Sequence, residues 1–169
     1  MESQGEIKIQ LLTKEYLKTA VKLIETTFTD EEESGRKEVE ASIDPKKFQK
    51  YVMKIDRHVR SLEYFIAIDS RGKGVGIIGV YTLIENYEDT IWIGWYCVHK
   101  KQRGKGIGRM LLDFVIDKAK ESEKKYICLY TSTDKNEEKA QELYERYGFY
   151  ITKREKKDGY DILYRRKVL

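Results

Sequence analysis

Two cysteines, two histidines and one proline are all that 169 residues carry of those types. Cys97 and Cys128 fall inside apolar, strand-like stretches, where small buried thiols are common, and two cysteines make no disulfide framework. His58 and His99 stand apart in the chain, so no ligand cluster at metal spacing exists and no metal centre is expected. No window approaches the roughly eighteen apolar residues of a membrane span, and Met1 to Gln10 has no basic segment followed by an apolar one, which predicts a cytoplasmic protein with no membrane partner. Low-complexity linkers and internal repeats are absent apart from one duplicated tetrapeptide. These absences predict a single domain over residues 1–169, large enough to bury roughly 70% of its unfolded surface. A surplus of charge is missing too: Lys and Arg number 33 against 29 Asp and Glu, and a net +4 does not by itself point to nucleic acid.

Against these absences one stretch stands out, from Val98 to Ala119. Its head is Arg103, Gly104, Lys105, Gly106, Ile107, Gly108, set between the β-forming run Ile91 to Val98 and the helical spacing of Ile107, Leu111, Leu112, Val115, Ile116 and Ala119. The order reads strand, glycine loop, helix. Glycines let the backbone come close to a ligand, and the first turn of the helix offers unpaired N–H groups at the positive end of its dipole. The combination predicts an anion site, most naturally for a pyrophosphate, with Lys105 and Arg109 adding charge and Arg103 closing the loop. The alternative is a tight strand-to-helix turn that binds nothing.

The chain supplies a control. Arg71, Gly72, Lys73, Gly74 repeat the same four letters, and Gly74, Gly76, Gly79 have the spacing of the dinucleotide fingerprint. The next residues, Val75, Ile77, Ile78, Val80, Tyr81, Thr82 and Leu83, favour a strand over a helix. Without a helix N-terminus there is no anion site, and Asp69 to Gly74 reads as a hairpin turn.

Elsewhere the patterns are regular. Ile7, Ile9 and Leu11 alternate as a short strand, and Thr13 is the expected N-cap of a helix carrying Tyr16, Leu17, Ala20, Val21, Ile24 and Phe28. Asp30, Glu31, Glu32 and Glu33, with Glu38, Glu40 and Asp44 beyond them, read as a solvated loop or helix start, or as a lure for a cationic amine. Asp44 and Pro45 look like the cap and first position of a helix through Phe48, Tyr51, Val52 and Ile55. Tyr64 to Ile68, Val75 to Ile84 and Thr90 to Val98 form an antiparallel meander. Tyr126 to Thr131 is a strand reached by crossover and so parallel to the last of these. A helix from about Asn136 to Tyr147 ends at Gly148, and Tyr150 to Lys153 with Ile162 to Arg166 close the chain as a hairpin. The basic residues Lys153, Arg154, Lys156, Lys157, Arg165, Arg166 and Lys167 read as a solvated terminal hairpin rather than an RNA-facing patch, since no aromatics for base stacking cluster with them.

Arg103, Gly106 and Gly108 fit the (Arg/Gln)-x-x-Gly-x-(Gly/Ala) loop of the GNAT family of N-acetyltransferases, with Trp95, Tyr96, Cys97 and Val98 before it. Ala140, Leu143, Tyr144, Gly148 and Phe149 resemble that family's second acyl-CoA signature, Ala-x-x-Leu-Tyr-x-x-x-Gly-Phe. The resemblance covers most of the chain from Tyr64 onward and weakens in the first sixty or so residues. It implies an α/β (α+β) fold: a mixed, mostly antiparallel central sheet of about seven strands flanked by about four helices. It further implies acetyl-CoA as cosubstrate, held by Val98, His99, Arg103, Gly104, Lys105, Gly106, Ile107, Gly108, Arg109, Asn136 and Tyr144. The first two helices and their connection would shape the acceptor pocket.

Acetyl transfer to an amine needs a held thioester, a neutral amine, donors for the oxyanion and a proton for the leaving thiolate. The resemblance gives the proton to Tyr144, against the alternative of an aromatic packed on Ala140 and Phe149, and the oxyanion to the Val98 N–H. Val98 and His99 backbone groups would also meet the pantetheine amide. Where relatives carry a strand glutamate as base, this chain has Trp92; of the carboxylates nearby, Glu85 ranks ahead of Glu88, Asp89 and Glu25, and Cys97 and His99 lack partners for catalysis. Glu137 stands where relatives often have asparagine, leaving Asn136, one place earlier, as a cap or pantetheine contact. The expected function is acetyl-CoA-dependent transfer to a primary amine, on a small molecule or a peptide, with a lean toward a cationic acceptor. A CoA-binding sensor without turnover and a basic RNA-associated protein are the alternatives, and a homodimer through exposed sheet or hairpin surface is left open.

Overall fold

Gly74–Leu83 is buried along nearly its whole length, and an apolar strand of this kind requires cover on both faces of its sheet. The computed structural model, which describes residues 5–28 and 34–169, shows that cover. Among the described residues β1 (Lys8–Leu11), β2 (Val59–Ile68), β3 (Gly74–Leu83), β4 (Thr90–Val98), β5 (Tyr126–Ser132), β6 (Tyr150–Lys156) and β7 (Asp161–Val168) form one seven-stranded sheet in the order β1-β2-β3-β4-β5-β7-β6. All pairings are antiparallel except β4 with β5. The mixed, mostly antiparallel sheet is the one expected.

Helices α4 (Ile107–Glu121) and α5 (Glu138–Arg146) pack on one face, where Leu111, Leu112, Val115 and Tyr144 meet Phe65, Ile78, Ile93 and Ile127. On the other face α1 (Leu17–Thr27), α2 (Ser34–Ala41) and α3 (Pro45–Lys54) bury Ala20, Leu23, Ile24, Val39 and Tyr51 against Leu62, Tyr64, Ile66 and Ile77. α2 is the helix that the sequence pattern does not separate from the acidic stretch. Only Gly35, Val39 and Ala41 of its eight residues are buried, so packing rather than periodicity holds it. The run Asp30, Glu31, Glu32, Glu33 lies outside the described residues. No helix among the described residues is long and apolar enough to cross a membrane.

Two local expectations are corrected. Thr13 makes no side-chain cap; it precedes a short 3-10 turn, Lys14–Tyr16, and α1 starts only at Leu17. The basic terminal residues divide: Lys153, Arg154, Lys156 and Lys157 are exposed, as expected, whereas Arg165 is buried and binds Gln141 Oε1 (3.1 Å), Glu145 Oε1 (3.1 Å) and the Phe149 carbonyl (3.3 Å), tying α5 to the sheet. Arg166 lies over the Tyr126 ring, and Lys167 Nζ donates to the Tyr147 carbonyl at 2.7 Å. By contrast Asp44 caps α3 as expected, accepting from the N–H groups of Lys46 and Lys47. The first Arg-Gly-Lys-Gly is a turn, with Asp69 Oδ1 accepting from the Arg71 and Lys73 N–H groups and Gly72 at φ +77°.

One buried ring shapes the middle of the sheet. Tyr64 lies flat across β3 and β4 on the α1 face: a Cβ on Gly79 would collide with its ring, within 2.7 Å of its oxygen, and a Cβ on Gly94 would come within 2.9 Å of the same oxygen. Beside Gly94 the β3–β4 register slips between Ile78/Tyr96 and Val80/Ile93, so β4 bulges at Gly94 and Trp95. The freed Trp95 N–H donates to Tyr64 Oη at 3.2 Å. Because the fully buried Tyr64 has nowhere to retreat, Gly79→Ala is expected to destabilise the fold by about 1–3 kcal/mol in urea unfolding, whereas an equally stable variant would show that the ring is free to move.

Candidate active site

β4 and β5 pair only at Thr90/Tyr126, Ile91/Ile127 and Trp92/Cys128. Beyond Trp92 the two parallel strands part. β5 is kept on its own course by β7, paired as far as Ser132/Ile162, and by α5 and the turn before it. There Glu137 Oε2 accepts from both the N–H (2.6 Å) and the hydroxyl of Ser132, and Gln141 Nε2 donates to the Ser132 carbonyl at 2.7 Å. On the β4 side the His99 N–H donates to the Val75 carbonyl at 2.8 Å, and Gly76 lies opposite Val98. Antiparallel alternation then turns the N–H and C=O of Val98 and Tyr96 into the gap. The Val98 carbonyl receives Arg103 Nε at 3.1 Å.

The gap runs into the glycine loop. Gly104 and Gly106 have φ of +75° and +82°, a conformation that favours glycine, and no atom lies within 4 Å of where either Cβ would be. The first helical bond of α4 runs from the Met110 N–H to the Gly106 carbonyl (3.0 Å), so the N–H groups of Ile107, Gly108 and Arg109 precede it. Tyr96 pins this end of the helix to β4: its hydroxyl donates to the Gly108 carbonyl, and a Cβ on Gly108 would sit 3.0 Å from that hydroxyl. Arg103, Lys105 and Arg109 are exposed at the rim, Lys105 donating to Gln102 Oε1 at 3.0 Å. An open cradle of amides and cations, continuous with a slot of strand amides that β5 does not pair, fits an extended ligand with a diphosphate at one end and amide groups along its length.

The remaining expected residues are placed unequally. Tyr144 is buried on the α4 side, edge-on to Phe149 at 5.8 Å, and burial raises its hydroxyl pKa. His99 has no backbone group to spare: its N–H serves Val75 and its carbonyl accepts from Gln102 (2.8 Å), while Nδ1 accepts from the Lys101 N–H. Desolvation and its cationic neighbours Lys73, Lys101, Lys100 and Arg103 lower the His99 pKa. Asn136 is exposed and caps neither turn nor helix; Asp134 caps the 3-10 turn Lys135–Glu137, and it is Glu137 that grips β5. Glu85 pairs with His58 (3.0 Å) beyond the start of β4, so the length of that strand, roughly 25 Å at about 3.3 Å per residue, separates it from the loop. Glu25 is engaged by Arg36. Cys97 is buried against the Leu23 carbonyl, and burial pushes its thiol up to about 11.

The carboxylate that does lie at the parted strands is Glu38, on α2. Its Oε1 accepts from Tyr64 Oη at 2.6 Å and its Oε2 from Tyr51 Oη at 3.3 Å, and a Cβ on Gly94 would lie 3.2 Å from Oε1. Burial raises its pKa; hydrogen bonds from Tyr64, Tyr51 and the Trp95 indole oppose that rise, and Asp56 adds to it. In the sequence Glu38 is one acid of a mixed charge run and nothing in its spacing separates it from Glu40, which pairs with Lys47 at 2.9 Å. Trp92 stacks on Tyr81 at 6.2 Å on the same face, and its indole N–H is buried with no acceptor among the described residues.

The sequence profile of the acetyltransferase (GNAT) family matches residues 21–149. No curated protein matches the sequence. Among solved structures, a GNAT-family protein from Desulfovibrio desulfuricans is similar at 18% identity over 96% of this chain and 99% of that one, with a TM-score of 0.76. A GNAT family acetyltransferase from Elizabethkingia anophelis, with acetyl-CoA bound, is similar at 21% identity over 96% and 98%, TM-score 0.65. The spermidine/spermine N-acetyltransferase of Vibrio cholerae, in mutant forms, is similar at 16% identity over 96% and 95%, TM-score 0.68. At these identities the likeness is one of fold.

The raised carboxyl of Glu38 has a consequence for stability. The unfolded chain ionises this group near its ordinary value of 4.5, before the folded chain does, so its contribution turns against folding as pH rises from there toward neutrality. Glu38→Gln keeps an acceptor for Tyr64 and removes the charge. Its melting temperature relative to wild type is expected to rise between pH 4 and pH 8; a difference that stays constant over that range would show that Glu38 is solvated like an ordinary carboxylate.

Proposed function

The chain belongs to the acetyltransferase (GNAT) family, and on that basis we propose that it is a single-domain, acetyl-CoA-dependent N-acetyltransferase that transfers the acetyl group directly to a primary amine. The observation that carries the reading is the parting of β4 from β5 straight into the glycine loop. When bound, acetyl-CoA supplies the acyl group and a thiolate leaving group.

In this reading the loop N–H groups from Gly104 to Arg109, with Arg103, Lys105 and Arg109, hold the diphosphate. The gap-facing N–H and C=O groups of Tyr96 and Val98 align the pantetheine arm, and the Val98 N–H is the donor placed for the oxyanion. Tyr144 supplies the proton for the departing thiolate. Its raised pKa keeps it protonated at neutral pH. His99 contributes through its place in the chain, closing β3 to β4 ahead of the loop, and Asn136 has no part. The acceptor is an amine; the polyamine named for the Vibrio cholerae protein supports a cationic one.

Calorimetric titration with acetyl-CoA tests the cradle. Gly106→Glu places a carboxylate in the open space of the loop at a left-handed φ costing about 1–2 kcal/mol, little enough to leave the fold intact, and it is expected to abolish binding. A wild type that does not bind acetyl-CoA would overturn the reading. Tyr144→Phe is expected to lower kcat about a hundredfold with acetyl-CoA affinity unchanged; unchanged kcat would return Tyr144 to a packing role.

A further inference from the structure

We infer that the face of the parted strands opposite α4 is a site for an alkylammonium group, in which the Glu38 carboxylate holds the acceptor's nitrogen and removes its proton. The inference rests on the acetyl-transfer reading and adds to it the charge of the acceptor and the identity of the base.

Position comes first. The β4 bulge at Gly94 and Trp95 lies just past the last β4–β5 pair, Trp92/Cys128, and before the strand reaches Val98 at the loop. Glu38 lies against that bulge: its Oε1 is 3.2 Å from where a Gly94 Cβ would be, and Tyr64 Oη joins it (2.6 Å) to the Trp95 N–H (3.2 Å). A side chain at Gly94 would press on both the carboxylate and the Tyr64 hydroxyl, so glycine there keeps the pair in place. Tyr144 belongs to the core on the other face, so base and acid stand on opposite sides of the gap, as entry of an amine and departure of a thiolate require.

Chemistry comes second. The groups that bind Glu38 are neutral donors, and no ion pair reaches it among the described residues. A half-buried carboxylate served by two hydroxyls and an indole N–H, all neutral, is poorly compensated, and an ammonium supplies the missing charge. The walls suit that ion: Trp95 packs on Phe28 at 4.9 Å, and Trp92 stacks on Tyr81 with its indole N–H unpartnered among the described residues. Aromatic faces beside a carboxylate attract alkylammonium groups.

Protonation comes third. An alkylammonium has a pKa of about 10.4 and must be deprotonated before it can attack. The titratable groups facing Glu38 are Tyr64 from β2, Tyr81 from β3, Tyr51 from α3 and Asp56 beyond α3; at neutral pH the three tyrosines stay protonated, Tyr64 and Tyr51 donating to the carboxylate, while Asp56 repels the charge. A carboxylate raised toward neutrality by burial is the better base. One proton passes from the nitrogen to Glu38, which returns it to water; the freed lone pair attacks the thioester carbonyl, the C–S bond breaks as the tetrahedral intermediate collapses, the departing thiolate takes the Tyr144 proton, and the nitrogen's second proton, lost as the amide forms, restores Tyr144.

The only two tryptophans of the chain, Trp92 and Trp95, flank the site, so intrinsic fluorescence reads its occupancy directly. The full chain, with CoA present, would be titrated with 1-aminobutane and 1,4-diaminobutane, using 1-butanol as the uncharged control. Saturable change with the amines and none with the alcohol is expected, weakened about tenfold or more in Glu38→Gln and partly restored in Glu38→Asp. With 1,4-diaminobutane as acceptor, Tyr64→Phe, which removes a donor to Glu38, is expected to move the acid limb of kcat/KM to higher pH, and Glu38→Gln to erase that limb. Amine binding that is absent in wild type, matched by the alcohol, or unchanged in Glu38→Gln would overturn the inference. Acetyl-CoA affinity measured on the same samples separates this outcome from a failure of the acetyl-transfer reading, which alone predicts that wild type binds acetyl-CoA.

Discussion

β4 and β5 share only three paired residues before they diverge, and every feature of the site hangs on that limit. A parallel pair in the middle of a sheet would ordinarily keep zipping, because each buried N–H and C=O left without a partner is costly. Here the divergence is enforced from both sides. The β4 bulge redirects one strand, while Ser132 at the end of the other is held by Glu137 and Gln141, with the buried Arg165 anchoring the same helix. The strand amides left without a β5 partner are not defects. They are the polar lining of a slot that opens onto the N-terminus of α4.

The same limit divides the molecule into two working faces. On one, α4 presents the glycine loop, and Tyr96 fixes the helix to β4 through the Gly108 carbonyl. On the other, Tyr64 takes the space that side chains at Gly79 and Gly94 would fill, and carries a hydroxyl from the interior of β2 to Glu38 and the Trp95 amide. A bulge, two glycines and one tyrosine thus place a carboxylate of α2 beside the parted strands. Each of these four features is common alone, and none has its effect without the others.

The repeated tetrapeptide shows how far local chemistry carries. Arg-Gly-Lys-Gly at 71–74 and at 103–106 offers the same residues, yet the first is a hairpin turn closed by Asp69 and the second a left-handed loop capping a helix. The residues after each copy decide: β-branched and apolar ones in one case, a helical stripe in the other. Those differences are local, and so they are legible. Arg165 and His99 illustrate the opposite. A basic residue near a chain end reads as solvated until α5 is seen to cover it, and the His99 backbone reads as available until the register shows it serving Val75.

Read alone, the chain specifies the strand meander, the crossover, the glycine loop and the helix that it caps, because periodicity, turn residues and positive-φ glycines act over a few residues and are sufficient there. Tyr144 is marked by the resemblance of Ala140, Leu143, Tyr144, Gly148 and Phe149 to the family's second acyl-CoA signature. Where β4 leaves β5, which residues grip Ser132 and which carboxylate meets the parted strands are settled only when the fold is assembled. Nearness along the chain favours Glu85, and Glu38 reads there as one charge among many. The reason is physical: α2 forms through packing, and the surroundings that raise the Glu38 carboxyl come from β2, α3 and β4, segments brought together only by the finished sheet.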